Sequence, residues 1–235
     1  MKKYQHIIFD FDNTLWDFAT NSKESLLELY NKHQKLQQKF GSFENFYNLY
    51  EKYNIELWKL YRKGEVSKDG LSTNRFAFPL REVGIRDIEY ATKLNSEYLA
   101  LTTTKTKLKP YAIDVLKYLK SKGYNLHILT DGFFEVQFLK LKTSKLIPYI
   151  THIIVSEEVG FLKPDSRLFQ YMTEKIGADK SQMIMVGDDY ENDIIGAYNF
   201  GMDQVFYNIK NLDIDALPIK PTYTIFSLIE LKDIL

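Results

Sequence analysis

The chain has 235 residues, enough for one large α/β domain or for a core with a smaller second domain. Hydrophobic residues make up 45% and aromatics 15%, a composition that supports a sizeable buried core and argues against disorder. Lys plus Arg number 31 and Asp plus Glu number 31, which speaks against a broad basic face for nucleic-acid polymers, and the absence of Cys removes disulfides, thiolate metal sites and a Cys nucleophile.

The first segment, MKKYQHIIFDFD, carries two lysines but sets Asp10 and Asp12 where a signal peptide needs its apolar run. No apolar stretch approaches the ~18 residues needed to span a bilayer. The expectation is a cytoplasmic protein without membrane contact, monomeric or dimeric, acting on a small molecule. His6–Phe9 is a short apolar run that suits a buried strand.

From Trp16 to Lys107 the rhythm changes. The segment is rich in Lys, Glu, Tyr and Leu and reads as several amphipathic helices. Phe43, Phe46, Tyr47, Leu49 and Tyr50 recur at helical spacing, as do Ile55, Trp58 and Tyr61. A helical domain over residues 16–107 is expected, inserted after the first strand into a core formed by residues 1–15 and 108–235, with Thr102–Lys107 as the exit linker. Trp16, Phe18, Trp58 and Phe76 could stack on a nucleobase, although aromatics at helical spacing are mostly core residues. Arg75 could contact a carbonyl or phosphate of a ligand, but reads rather as a surface charge.

Beyond the insertion, strands and helices alternate. Pro110 and Gly123 bracket a helix over Tyr111–Lys122, and Asp165 and Gly177 bracket one over Ser166–Ile176. Leu126–Thr130, His152–Val155, Met183–Val186 and Gln204–Tyr207 are apolar runs of strand length. The alternation predicts an α/β fold with a doubly wound parallel sheet. His6, His127 and His152 fall on separate strands without a ligand pattern and read as packed or surface imidazoles.

Four chemistry-bearing points follow predicted strands, where open parallel sheets bind ligands. Asp10 and Asp12 leave the first strand on one side, so their repulsion favours a cation or a shared proton, unless they serve only as turn caps. Asn13 follows at a turn and tolerates left-handed backbone. Thr130-Asp131-Gly132 offers a hydroxyl and amides that suit a phosphate or an ordinary helix cap. Lys163-Pro164 supplies one cation. Gly187-Asp188-Asp189 leads to Asp193 about one helical turn on; oxygens from Asp10, Asp12 and Asp188 would suit Mg²⁺, unless this run is only an acid-rich helix start.

The order DFDNTL, TDG, Lys-Pro and GDDYEND, each after an apolar strand, resembles the four motifs of the haloacid dehalogenase superfamily. SEEVGFLKP over Ser156–Pro164, with the TDGF start, is similar to the bacterial pyrimidine 5′-nucleotidase branch, whose members carry a helical cap after the first motif. The resemblance implies a magnesium-dependent phosphatase with Asp10 as nucleophile and Asp12 as general acid and base. It implies phosphate binding by Asn13, Thr130, Asp131, Gly132 and Lys163, and Mg²⁺ held by the Asp10 carboxylate, the Asp12 backbone carbonyl and Asp188. Asp193, with Asp189 beside it, would support the metal or orient Lys163. Two residues depart from the pattern: Asp131 stands where Asn is commoner, and Asp189 where Ser or Thr is frequent. Dehalogenases of the superfamily lack the second acid of the first motif, so Asp12 favours phosphoryl chemistry. The implied substrate is a nucleoside 5′-monophosphate; a sugar phosphate, phosphoglycolate, a mutase reaction and a phosphoacceptor signalling domain are the other readings.

Overall fold

The computed structural model describes residues 3–235. The chain divides into two compact units, one formed by the segment ending at Phe18 together with Thr106–Leu235, the other by Ala19–Lys105.

The first unit holds a six-stranded sheet with every pairing parallel: β1 (His6–Phe9), β2 (Asn125–Thr130), β3 (His152–Val155), β4 (Met183–Gly187), β5 (Asp203–Tyr207) and β6 (Tyr223–Ile225), in the order β3-β2-β1-β4-β5-β6. Strands this apolar are stable only if both faces are covered, and side chains one residue apart point to opposite faces. Ile7 and Phe9 accordingly pack with Val115, Leu116 and Leu119 of α6 (Ala112–Ser121). Ile8, between them, packs with Leu168, Phe169 and Met172 of α9 (Ser166–Ile176). The doubly wound sheet read from the sequence is present. β6 is an addition, because three residues with only one fully buried carry little apolar signal. Strand order reverses at β1, so the carboxyl ends of β1 and β4 meet at the switch point where such sheets bind ligands.

The second unit is helical. Apart from Phe18, the first residue of α1 (Phe18–Lys32), it contains α1, α2 (Gln34–Phe40), α3 (Phe43–Arg62), α4 (Lys68–Glu82) and α5 (Ile88–Thr102). Side chains of Ser42, Ser67 and Asp87 accept backbone N–H bonds at the starts of α3, α4 and α5, satisfying donors that a helix leaves orphaned. Its core joins Leu26, Leu29, Phe46, Tyr50, Phe76, Leu80, Leu94 and Tyr98. Full burial of each such side chain contributes about 1.5–3 kcal/mol.

Two readings of this unit are corrected. Ile55 is 53% exposed, so the Ile55–Trp58–Tyr61 stripe is not a core seam. Arg75 is not a surface charge: it is 4% exposed, and its Nε and Nη2 both donate to Asn95 Oδ1, at 2.8 and 2.6 Å. Of the aromatics singled out, Trp16 and Phe76 are fully buried, and Trp16 belongs to the sheet unit. Among the described residues no helix is long and apolar enough to cross a membrane.

The three strand histidines form a row across β1, β2 and β3. His127 Nε2 lies 3.1 Å from His6 Nδ1, and His127 Nδ1 lies 3.2 Å from His152 Nδ1. A neutral imidazole donates through one nitrogen and accepts through the other, so uncharged His127 satisfies both contacts. Burial, with His6, His152 and Lys120 nearby, pushes its pKa down to about 3. The unfolded chain therefore takes up a proton near pH ~6.5 that the folded chain refuses. Stability is complete above that pH and falls as pH drops towards the folded value, by up to about 1.4 kcal/mol per pH unit from this group. His127→Gln should flatten the decline of the urea midpoint between pH 7 and pH 4; an unchanged slope would remove His127 as its source.

Candidate active site

Asp10 directly follows β1, Thr130 ends β2, and Asp188 follows β4, so three of the four motifs sit at carboxyl ends of strands. Asp10 is anchored by its N–H to the carbonyl of Val186 on the adjacent strand, at 2.9 Å. Lys163 arrives from the loop between α8 (Ser156–Val159) and α9, where its backbone N–H donates to Asp131 Oδ1 at 3.0 Å. This contact shows where the unusual Asp131 carboxylate points: it holds the Lys163 backbone.

The Lys163 ammonium is the hub of the site. Its Nζ donates to Asp10 Oδ1 and Asp193 Oδ1, each at 2.7 Å, and to the Leu129 carbonyl at 3.3 Å. The Lys163 and Asp193 side chains are 4% and 0% exposed. Buried charges require partners of this kind, because desolvating an unpaired ion costs far more than a lost hydrogen bond. Burial alone would lower the lysine's pKa; Asp10, Asp193 and Asp131 override it and raise it well above its ordinary value.

The acids are under the opposite pressure. Burial pushes the carboxyl groups of Asp10, Asp188 and Asp193 upward; Lys163 opposes this for Asp10 and Asp193, and neighbouring carboxylates add to it. One oxygen from each of the three lies within 4.8 Å of the others. Three buried carboxylates outnumber the Lys163 ammonium bonded among them and the Lys210 charge that acts on Asp188, and hard oxygen donors this close suit a divalent cation such as Mg²⁺. The donor set therefore fits that group. Asp188 is also tied to the first motif: Thr14 Oγ1 donates to its Oδ1 at 3.2 Å and accepts from its N–H at 3.1 Å.

Asp12 points elsewhere. Its carboxylate oxygens accept from Gln137 Nε2 at 2.8 Å and from Lys140 Nζ at 3.0 Å, both on α7 (Phe134–Thr143). Gln137 Nε2 also donates to Thr130 Oγ1 at 2.7 Å. The Asp12 carboxylate is thus held by α7 and lies outside the group of three, while its charge still pushes the Asp10 carboxyl upward. Asn13 takes the left-handed backbone its turn requires, at φ 65°. Asp189 caps the wide helical turn Tyr190–Ile195, accepting from the N–H groups of Glu191 and Asn192 and from the Asn192 side chain.

Thr14, Gln137 and Lys140 were missed from sequence. Helix α7 has no Pro or Asp start to announce it. Gln137 and Lys140 share an inward face with Leu141, and that polar pair at i, i+3 beside an apolar residue was the available signal.

Two glycines are dictated by these contacts. A Cβ on Gly132 would stand 2.4 Å from Gln137 Cδ, and one on Gly187 would stand 2.2 Å from Asp193 Oδ2. Gly187→Ala should push Asp193 away from Lys163 and destabilise the protein by about 1–3 kcal/mol, as overpacking does. A urea midpoint equal to wild type would show that Asp193 is not confined in this way.

The sequence profile of the haloacid dehalogenase-like hydrolases matches residues 4–201. The chain is 31% identical over 235 residues to pyrimidine 5′-nucleotidase YjjG of Escherichia coli, covering 99% of this chain and 98% of that protein. It is 28% identical over 234 residues to pyrimidine 5′-nucleotidase PynA of Streptococcus pneumoniae, covering 99% and 95%. Among solved structures, the HAD-hydrolase YfnB of Bacillus subtilis, bound to magnesium, superposes with a TM-score of 0.87 at 29% identity, covering 100% of this chain and 99% of that one. With the same motifs arrayed along one edge of a parallel sheet, the chain belongs to the haloacid dehalogenase-like hydrolases.

Proposed function

We propose that this protein is a Mg²⁺-dependent phosphomonoester hydrolase that removes phosphate from nucleoside 5′-monophosphates through a phosphoaspartate on Asp10. The observation that carries the chemistry is the buried Asp10–Lys163–Asp193 chain, with Asp188 beside it and Asp12 held apart. The substrate class is supported by full-length similarity to two pyrimidine 5′-nucleotidases. In this reading residues 19–105 are the cap domain.

A phosphomonoester dianion and the Asp10 carboxylate repel each other, so the site must supply positive charge before they can meet. Lys163 provides a fixed cation bonded to Asp10. Mg²⁺, held by Asp10, Asp188 and the Asp12 carbonyl with Asp193 in support, would neutralise further charge on the transferring group. Asp10 attacks phosphorus, the bond from phosphorus to the leaving oxygen breaks, and Asp12 gives that oxygen its proton. Water then attacks the aspartyl phosphate, Asp12 takes the proton, and Asp10 is released with phosphate. Thr130 and the amides near Asp131 and Gly132 bind the phosphoryl oxygens, with Asn13 at the same loop edge. Asp12 has work to do only if the leaving group needs a proton, which a halide does not.

Asp10→Asn should lose turnover while keeping the wild-type circular dichroism spectrum, and wild-type activity in that variant would take the nucleophile's role from Asp10. Nucleoside monophosphates, sugar phosphates and phosphoglycolate assayed side by side with Mg²⁺ should show highest kcat/KM on pyrimidine nucleotides, with activity lost in EDTA. Preference for a sugar phosphate would overturn the nucleotidase reading and leave the phosphatase reading standing.

A further inference from the structure

Asp12 is a carboxylate on a loop, and a general acid and base is effective only if its oxygens are held where the leaving group will be. Both oxygens are held. Lys140 Nζ binds Oδ1 and Gln137 Nε2 binds Oδ2. A carboxylate oxygen has two lone-pair directions, so each can still face a substrate.

The holders are themselves immobilised. The Lys140 side chain is 4% exposed, and its ammonium lies 4.2 Å from the centre of the Trp16 ring and 5.5 Å from that of Phe18. An ammonium over aromatic faces keeps its charge while shedding water. Trp16 is tied in turn to the loop that carries Asp12, through its N–H to the Phe11 carbonyl at 2.9 Å and its carbonyl to Asn13 N–H at 2.7 Å.

Gln137 shows what its place is for. The residue is fully buried and its Oε1 has no hydrogen-bond partner, which is unfavourable, since a buried acceptor loses water and gains nothing. An apolar side chain of the same shape would leave no acceptor stranded there. What Gln137 adds is two N–H groups on one nitrogen, one on Asp12 and one on Thr130 Oγ1. Acceptance of that bond by Thr130 leaves its own hydroxyl hydrogen to point elsewhere. The acid that serves the leaving oxygen and the hydroxyl that serves a phosphoryl oxygen are thereby set at one mutual spacing by a single amide.

The geometry points to Gln137 and Lys140 as positioning residues that lock Asp12 for proton transfer and couple it to Thr130. This rests on the phosphatase reading above. A positioning role predicts a loss that depends on the leaving group, because p-nitrophenolate departs with little help and phenolate needs its proton more. In Lys140→Met, kcat/KM with Mg²⁺ should fall roughly 10- to 100-fold on phenyl phosphate, against about threefold or less on p-nitrophenyl phosphate. Gln137→Met, which removes the unpartnered carbonyl as well as the donors, should show the same selectivity while unfolding at a temperature equal to or above wild type. It carries the test if Lys140→Met does not fold. Equal losses on both esters, no loss on either, or activity that falls only in step with the melting temperature would overturn the proposal. A wild-type protein that hydrolyses no phosphomonoester would instead overturn the phosphatase reading beneath it.

Discussion

The buried ammonium of Lys163 is the interaction on which the site depends. Asp10, Asp188 and Asp193 are drawn out of water by the packing of β1 and β4, and carboxylates so placed resist ionising. Lys163 offsets part of that penalty by bonding two of them. Its own burial is tolerable only because they are there. The result is a charge cluster that is assembled by folding and left short of positive charge, a fitting receptacle for a hard cation.

The sheet makes that cluster possible. Parallel strands end on one edge, and the reversal of order at β1 leaves an opening between the chain segments that follow β1 and β4. Lys163 comes from a different loop altogether, 153 residues from Asp10 in sequence, and is steered there by the Asp131 carboxylate on its backbone. Asp131, at a position where Asn is commoner, is placed by the resemblance among the phosphate-binding residues. Its contact assigns it a scaffolding task, which explains how the site accommodates an acid at that position. Asp189 is likewise engaged, as a helix cap.

The two acids of the first motif have separate surroundings, although two residues apart. Asp10 lies among other carboxylates and Lys163, whereas Asp12 is held by an amide and a lysine from α7. That division gives two identical side chains different surroundings, the physical ground on which the proposed reaction assigns them different roles.

Sequence alone determined the parallel sheet, because short apolar runs separated by capped helices have few other solutions, and it determined the order of the motifs. It also marked Asp10, Thr130, Lys163 and Asp188, since each stands just after a strand or in a loop at the same edge. What only the tertiary structure decided were contacts between elements far apart in the chain. No local pattern could place Gln137 and Lys140 against Asp12, 125 and 128 residues away, or turn Arg75 inward to Asn95. Spacing along one helix or strand is a local property readable from residue order, while the partner of a buried polar group depends on which surfaces the fold presses together.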